Sequence, residues 1–330
     1  MINICLIYDS DNIKYDILAQ TPNFSGEFNG CKFHLYSQNN SHKIPIETDA
    51  LIVLNSPVVD IEIKTYPELT FLISQEAANP RYLWHKNSFN YFRNVYTQWS
   101  IKKSNIIPSH GFLTWYIEKS FDELTKINLT ENERSNKIAY IGNKEAILPG
   151  QIKRNNFVEN LQAAFKEHPD LSVDLLGRTY NNPIENKFET LDSYKYGLAI
   201  ENTLIDHYWT EKIADIFLAG ALPFYIGPKN IYDYFPEKSL ILLDFDNIDN
   251  SINIIKNAIK NNEYEKRIDA INEARNKVLY DYNLFYALSK VIQEKYKNDK
   301  LKKKKVIKIP KNYWGIKPSL ISRIKNKIIK

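Results

Sequence analysis

Short apolar runs that alternate with helical patterns are the feature of this sequence that most constrains its fold. In the second half of the chain, runs of strand length occupy residues 138–141, 171–176, 196–200, 222–226 and 240–244. Helical periodicity lies between them at about 156–167 and 211–219, and it continues to about residue 297. Strands joined through helices predict a mostly parallel sheet with helices on both faces. Such a sheet binds its ligand beyond the carboxyl ends of its strands.

The first half of the chain has similar apolar runs but poorly marked helices. Its predicted strands are 2–8, 50–54, 69–74 and 94–97, and a polar stretch at 128–136 then separates the halves. We therefore expect an N-terminal α/β domain at 1–132, a C-terminal α/β domain at 133–298 and a tail at 299–330. Two Rossmann-like halves facing across a cleft fit this pattern, which equally permits several classes of two-domain α/β enzyme.

Charge is distributed unevenly along the 330 residues. The segment from Lys300 to Lys330 holds 12 of the 44 Lys and Arg residues and no acid, which leaves 32 basic against 39 acidic residues elsewhere. The basic character therefore belongs to the tail, and we expect no nucleic-acid partner. The start of the chain resembles a buried strand and not an export signal, and no apolar run approaches the length of a membrane span. We expect a cytoplasmic protein in which Cys5 and Cys31 are buried, reduced thiols.

The tail combines basic and apolar residues at helical spacing. Leu320, Ile321, Ile324 and Ile328 share one helical face, with basic residues largely opposite. A basic amphipathic helix suits an anionic membrane surface, so we predict peripheral attachment to the inner face of the cytoplasmic membrane through residues 300–330. The alternative is a disordered, solvated tail.

Charged residues follow two of the predicted strands and open two of the predicted helices. The strand at 196–200 ends on Glu201 and Asn202, and the next helix begins with Glu211 and Lys212 in its first turn. Arg154 opens the helix that follows strand 138–141. A helix N-terminus with a nearby cation is a favourable site for phosphate, and two such cations suggest a diphosphate. Taken alone, an acid–base pair in a first turn is more often solvated surface.

Four segments together resemble the C-terminal signature of the α1,3/4-fucosyltransferases of glycosyltransferase family 10. They are Tyr-Lys-Tyr-Gly-Leu-Ala-Ile-Glu-Asn at 194–202, Tyr-Trp-Thr-Glu-Lys at 208–212, Ala-Gly-Ala-Leu-Pro-Phe-Tyr-Ile-Gly-Pro at 219–228 and Ile-Leu-Leu-Asp-Phe at 241–245. The resemblance implies an α/β fold of GT-B type, with an acceptor-side N-terminal domain and a donor-binding C-terminal domain. It also implies GDP-fucose as donor, an inverting reaction and no essential metal.

The same resemblance assigns roles to individual residues. It makes Arg154 the pyrophosphate-binding arginine and makes Asn202, Tyr208, Glu211 and Lys212 donor contacts. Glu201 could contact the donor or be a structural member of the motif.

A general base is the remaining requirement of an inverting transfer. Glu76 follows the strand at 69–74, where the segment 71–76 resembles the strand end that carries the family's catalytic glutamate. His110 is a competing base, because imidazole titrates near neutral pH, and it could instead line the donor or acceptor cleft. Asp244 and Asp246 form an acidic pair that resembles a structural stretch of the family, so we assign no metal ligands.

The function predicted from these features is transfer of L-fucose from GDP-fucose to a surface-glycan hydroxyl. The expected acceptor is an oligosaccharide or lipid-linked glycan, with α1,3-linkage to N-acetylglucosamine in a bacterial lipopolysaccharide or capsule oligosaccharide. Two alternatives stay open at this point. One is a transferase for another GDP-deoxysugar, and the other is a catalytically inactive, membrane-associated protein that binds glycans or nucleotides.

Overall fold

The computed structural model describes residues 1–8, 17–112, 115–129, 133–144, 146, 148–298 and 301–312. It divides into two compact units, Met1–Phe112 with Leu284–Lys330, and Leu113–Asn283. Among the described residues no helix is long and apolar enough to cross a membrane.

The strands and helices in chain order are as follows. The strands are β1 (Ile2–Ile7), β2 (Glu27–Phe28), β3 (Cys31–Tyr36), β4 (Ala50–Leu54), β5 (Ile61–Thr65), β6 (Thr70–Ile73), β7 (Asn94–Thr97), β8 (Ile106–Pro108), β9 (Ser135–Ile141), β10 (Val173–Leu176), β11 (Tyr194–Ile200), β12 (Leu222–Ile226), β13 (Ile241–Leu242) and β14 (Lys305–Ile309). The helices are α1 (Phe121–Leu124), α2 (Pro149–Phe165), α3 (Lys187–Asp192), α4 (Glu211–Leu218), α5 (Ile248–Lys260), α6 (Glu263–Leu279) and α7 (Leu284–Asn298).

The first unit contains a seven-stranded sheet in the order β2-β3-β1-β4-β6-β7-β8. Its strands pair in parallel except for β2 with β3. Every residue of β4 is buried, as expected of a central strand covered on both faces. The sequence predicted β4 and β7 at their observed bounds but missed β2, β3, β5 and β8. Cys5 and Cys31 are both buried and free.

Helix α7 belongs to the first unit, whereas the sequence placed residues 284–298 in the second domain. Leu284, Phe285, Leu288 and Ile292 are fully buried in the core on one face of the first unit's sheet. The ring of Phe285 meets that of Phe33 edge to face at 5.1 Å. The second unit ends at Asn283 and not at the predicted residue 298. The prediction was wrong because this helix continues the helical pattern of the second half, whereas its apolar face packs on strands from the start of the chain.

The first part of the predicted tail is a folded strand. β14 pairs antiparallel with β5 through five residues, and Ile309 is only 1% exposed in the core on the opposite face of the sheet. Lys304, just before β14, lies 2.8 Å from Asp49 Oδ1 and 3.1 Å from Glu47 Oε1. The predicted amphipathic helix around 320–328 lies outside the described residues.

The second unit contains a five-stranded, parallel sheet in the order β10-β9-β11-β12-β13. Tyr196, Phe224 and Ile138 lie in its core, where the rings of Tyr196 and Phe224 stack at 5.3 Å. The predicted mostly parallel sheet is therefore confirmed. Helix α2 begins at Pro149, earlier than the periodicity indicated, because its first turn packs against a loop and not against the core. The carboxyl ends of β9, β11 and β12 meet at one edge, and the candidate donor residues follow them.

Candidate functional site

The start of helix α4 is fastened to the end of strand β11 by a buried glutamate. Glu201 is fully buried, and its Oε1 accepts a hydrogen bond from the backbone N–H of Thr210 at 2.9 Å. The Thr210 hydroxyl lies 2.9 Å from Glu201 Oε2, and the Tyr225 hydroxyl donates to Oε1 at 3.4 Å. Thr210 is also the N-cap of α4, since its side chain accepts from the Lys212 N–H. This carboxylate therefore fixes where α4 begins.

Lys212 lies in a cluster of oxygen atoms at the N-terminus of α4. Its Nζ is 2.9 Å from Thr210 Oγ1, 3.3 Å from Glu211 Oε1 and 3.4 Å from Glu201 Oε2. Burial lowers the pKa of Lys212, but the negative charges of Glu201 and Glu211 outweigh it and raise that pKa above its ordinary value. The ammonium group therefore stays charged at neutral pH while 22% of the side chain faces solvent.

The two glutamates differ in how their surroundings act on them. Burial raises the pKa of Glu201. Burial also acts to raise the pKa of Glu211, but Lys212 and then Lys187 oppose it and hold the pKa below its usual range. Glu211 is thus an ionised carboxylate at the pocket, whereas Glu201 is a buried anchor. This geometry favours the structural role for Glu201 over a donor contact.

Lys187 is a site residue that the sequence reasoning missed. Its Nζ lies 2.5 Å from Oδ2 of Asp215, a fully buried residue one turn after Glu211 on α4. Asn186 accepts a hydrogen bond from the Glu189 N–H and caps the short helix that Lys187 opens. That cap was a readable sequence signal for a helix. The approach of this helix to α4 was not readable, because it depends on how the chain packs.

Arg154 is buried in the second turn of α2 and does not open the helix as the sequence predicted, because α2 begins at Pro149. Its Nη1 donates to Asn202 Oδ1 at 2.7 Å, and its Nη2 donates to the Asn143 carbonyl at 3.1 Å. A Cβ added at Gly150 would lie 1.8 Å from the Asn202 carbonyl oxygen. The first turn of α2 therefore packs directly on the loop after β11, which brings Arg154 to Asn202.

A cavity of about 220 Å³ lies at this edge of the second unit. The charged residues that line it are Arg154, Lys187, Glu211 and Lys212. The N-terminus of α4 and three cations around one open cavity favour an anionic ligand with more than one charged group. The arrangement can bind a diphosphate and can stabilise the negative charge that develops on it as a leaving group.

Tyr208 and Trp209 precede α4 and are both buried. Tyr208 lies close enough to Lys212 to raise the pKa of that lysine. The Trp209 ring contacts those of Tyr234, Phe235 and Tyr282 at centroid distances of 5.6, 4.9 and 5.1 Å. This aromatic cluster orients the segment that enters α4 and places Tyr208 near Lys212. Neither Tyr208 nor Asn202 is among the residues that line the cavity, so their roles as donor contacts stay predictions.

Glu76 and His110 lie in the first unit, at the carboxyl ends of β6 and β8. The Glu76 N–H donates to Asn55 Oδ1 at 3.2 Å. Gln75 Nε2 donates to the Gly111 carbonyl at 3.1 Å, which joins the Glu76 loop to the segment that carries His110. His110 is 5% exposed and its ring lies 5.3 Å from that of Phe112. The structure thus brings these two predicted residues to neighbouring loops.

The acidic pair after β13, Asp244 and Asp246, is engaged in contacts with other protein groups. Asp246 Oδ1 is 2.6 Å from Lys153 Nζ, and Asp244 Oδ1 accepts from the Asp246 N–H at 2.8 Å. Within the described residues, no group of three or more His, Cys, Asp or Glu side chains could hold a metal ion.

Comparison with known proteins finds one family and several similar folds. Residues 136–303, just over half of the chain, match the family model described as glycosyltransferase family 10 (fucosyltransferase) C-term. An α-(1,3)-fucosyltransferase of Helicobacter pylori is 34% identical over 109 residues, 33% of this chain and 22% of that protein. The matched regions cover 13 to 31% of the curated relatives' own lengths.

Two solved structures share the fold at low identity. An α1,3-fucosyltransferase crystallised with GDP has a TM-score of 0.50 and 19% identity, with 91% of each chain covered. HepE of Anabaena in complex with UDP-glucose has a TM-score of 0.53 and 8% identity, covering 90% of this chain and 100% of that one.

Proposed function

The chain belongs to glycosyltransferase family 10, and from this premise we propose that it is an inverting enzyme that transfers L-fucose from GDP-fucose to a glycan hydroxyl. The family and the glycosyltransferase class predicted from the sequence are confirmed, as is the α/β fold of GT-B type. The proposed acceptor is N-acetylglucosamine, joined by an α1,3-linkage, in a bacterial lipopolysaccharide or capsule oligosaccharide.

The observation that carries the proposal is the cluster of cations around the cavity in the second unit. Arg154, held by Asn202 at 2.7 Å, offers a planar guanidinium suited to bidentate binding of phosphate oxygens. Lys212 offers a compact charge at the N-terminus of α4. Glu211 would accept hydrogen bonds from sugar hydroxyls, and Asn202 and Tyr208 would complete the donor contacts.

The proposed reaction is a single displacement at the anomeric carbon. The acceptor oxygen attacks the anomeric carbon while the bond between that carbon and the diphosphate oxygen breaks. The electron pair of the broken bond leaves with GDP. Glu76 takes the proton of the acceptor hydroxyl. Arg154 and Lys212 stabilise the charge that develops on the diphosphate. We assign no metal ion to this step, so activity should survive treatment with EDTA.

The proposed location is the inner face of the cytoplasmic membrane. Support comes from the basic segment 300–330, in which Lys302, Lys303 and Lys308 are exposed in the described part. Each basic residue near an anionic lipid surface contributes roughly 1 kcal/mol of attraction. Peripheral attachment would place the enzyme near a lipid-linked acceptor.

A panel of GDP-, UDP- and CMP-sugars tests the proposal. We expect GDP-fucose to raise the thermal unfolding midpoint and to release GDP when acceptor is present. If only a different GDP-deoxysugar is turned over, that sugar and not fucose is the one transferred. Stabilisation by GDP-sugars without any release of GDP would identify a binding protein, and a response to UDP-sugars alone would reject the proposed donor.

A further inference from the structure

We propose that Asn55 and Asn312 are positioning residues that hold the backbone of Glu76 at the carboxyl edge of the first unit's sheet. The inference rests on the proposed function, since it takes Glu76 as the base. It assigns a catalytic consequence to a residue near the C-terminal end of the described chain, 236 positions from the candidate base.

Asn55 holds the Glu76 loop with a single side-chain oxygen. Its Oδ1 accepts hydrogen bonds from the backbone N–H of Gln75 at 2.8 Å and of Glu76 at 3.2 Å. Its own N–H donates to the Ile73 carbonyl at 2.7 Å. These bonds fix the backbone where the chain leaves β6. They therefore fix the point from which the Glu76 side chain extends.

The conformation of Asn55 is one that few side chains adopt. Its φ is 55°, in the left-handed region, and the residue is 5% exposed. Asparagine tolerates this region better than most residues, and such conformations persist where the surroundings fix them. The backbone of Asn55 continues directly into Ser56 and Pro57, so contacts that fix those two residues also restrict Asn55.

That following loop is bonded to Asn312. The Asn312 N–H donates to the Pro57 carbonyl at 2.7 Å, and the Asn312 carbonyl accepts from the Ser56 hydroxyl. The Asn312 side chain donates to the Trp84 carbonyl at 3.0 Å and to Ser88 Oγ at 2.7 Å. Asn312 thus joins the loop after β4 to the helical turns that follow Glu76.

The position of Asn312 follows from the pairing of strand β14. The strand pairs with β5 and ends at the buried Ile309, and the Lys311 N–H then donates to Asp60 Oδ1 at 2.8 Å. Asn312 is itself only 7% exposed. The pairing of β14 and the bond to Asp60 therefore fix the position of Asn312, as a positioning role requires.

A base must lie within hydrogen-bond reach of the proton it accepts, and a displacement of about 1 Å can cost on the order of 100-fold in rate. A merely structural role would instead lower stability while leaving the turnover of folded enzyme unchanged. The donor candidates Arg154 and Lys212 lie in the other unit, so a positioning role predicts a lower kcat with an unchanged affinity for GDP.

The test uses full-length chains with single substitutions. Asn55→Gly keeps the left-handed backbone accessible and removes the accepting oxygen together with the rest of the side chain. Asn55→Asp keeps that oxygen and serves as the conservative rescue. Asn312→Ala removes both side-chain N–H donors, and Val306→Ala is the matched control on β14, where Val306 is 57% exposed and lies opposite Lys64. Assays run well below each variant's unfolding midpoint, so that only folded enzyme is compared.

We expect Asn55→Gly and Asn312→Ala to lower kcat on the order of 10- to 100-fold while the KM for GDP-fucose and the affinity for GDP stay unchanged. Hydrogen exchange at the Gln75 and Glu76 amides should become faster in both variants. Asn55→Asp and Val306→Ala should keep slow exchange at these amides and retain kcat.

Wild-type kcat in Asn55→Gly would overturn the inference, as would a parallel loss of GDP affinity or unchanged exchange at the two amides. Failure of the proposed function has a different signature. Full activity in Glu76→Gln would reject the base, whatever the exchange rates show.

Discussion

At the scale of single residues, hydrogen bonds and ion pairs fix the charged groups of the candidate donor site. Arg154 is fixed by Asn202 at 2.7 Å, and Lys212 lies within 3.4 Å of two carboxylates. Fixed charges of this kind need little reorganisation when a leaving group becomes negative, which is how preorganised sites stabilise a transition state. The buried Glu201 contributes indirectly, by fixing the start of α4.

Removing either cation should weaken binding of GDP. We expect Arg154→Ala and Lys212→Ala each to raise the Kd for GDP on the order of 10- to 100-fold, because a hydrogen bond to a charged group contributes about 1.5 to 3 kcal/mol. Isothermal titration measures the change. Lys153→Ala is the control, since Lys153 neighbours Arg154 but is 49% exposed and pairs with Asp246. Unchanged GDP affinity in both variants would place the donor elsewhere.

Glu76→Gln should separate chemistry from binding. We expect the variant to lose on the order of 100- to 10,000-fold in kcat, the range that general-base catalysis contributes. Its affinity for GDP should equal that of the wild type, because the donor candidates lie in the second unit. If the variant retains most of its turnover, His110→Asn becomes the next variant to assay.

At the scale of elements, the helices that carry the site are fastened at specific ends. Helix α2 packs its first turn against the Asn202 carbonyl at Gly150. Helix α4 is held at its C-terminal end, where Arg134 donates to the Ala219 carbonyl at 2.9 Å and Arg275 donates to the Leu218 carbonyl at 3.1 Å. Cations at a helix C-terminus also interact favourably with the helix dipole. The position of Lys212 thus depends on both ends of α4.

Gly150→Ala should damage the site through the backbone. The new Cβ would meet the Asn202 carbonyl oxygen at 1.8 Å, so α2 or the loop must move apart. We expect a loss of about 1 to 3 kcal/mol in the free energy of unfolding, typical of overpacking, together with weaker GDP binding as Arg154 leaves Asn202. Urea denaturation and GDP titration measure both effects. Ile152→Ala is the control on the same turn, since Ile152 is 48% exposed. An equal loss of stability and of GDP affinity in this control would contradict the role assigned to Gly150.

At the scale of the whole molecule, the chain returns to its first unit after completing the second. Helix α7 packs on one face of the first sheet, and β14 adds to the core on the other face. The basic segment proposed to contact a membrane therefore begins inside a folded unit. A cut after Asn312 removes the last basic residues and keeps β14, so it separates folding from membrane attachment.

Two truncations should distinguish these roles. A chain ending at residue 312 should unfold like the full chain but bind vesicles of anionic lipid more weakly, because it lacks the last basic residues. A chain ending at residue 300 also lacks β14 and should lose several kcal/mol of stability, since Ile61 and Ile63 lose their cover. Vesicle sedimentation and urea denaturation measure the two properties. Undiminished vesicle binding by the chain ending at 312 would place the membrane contact elsewhere.

The sequence by itself determined the parallel sheet of the second unit and the start of the helix that carries Glu211 and Lys212. These depend on apolar spacing and capping within a few residues, which a local pattern records directly. Only the tertiary structure decided that Lys187 joins the pocket, that α7 and β14 belong to the first unit, and that Asn312 reaches the loop beside Glu76. Such contacts join residues far apart in the chain, so packing geometry fixes them and no local pattern encodes them.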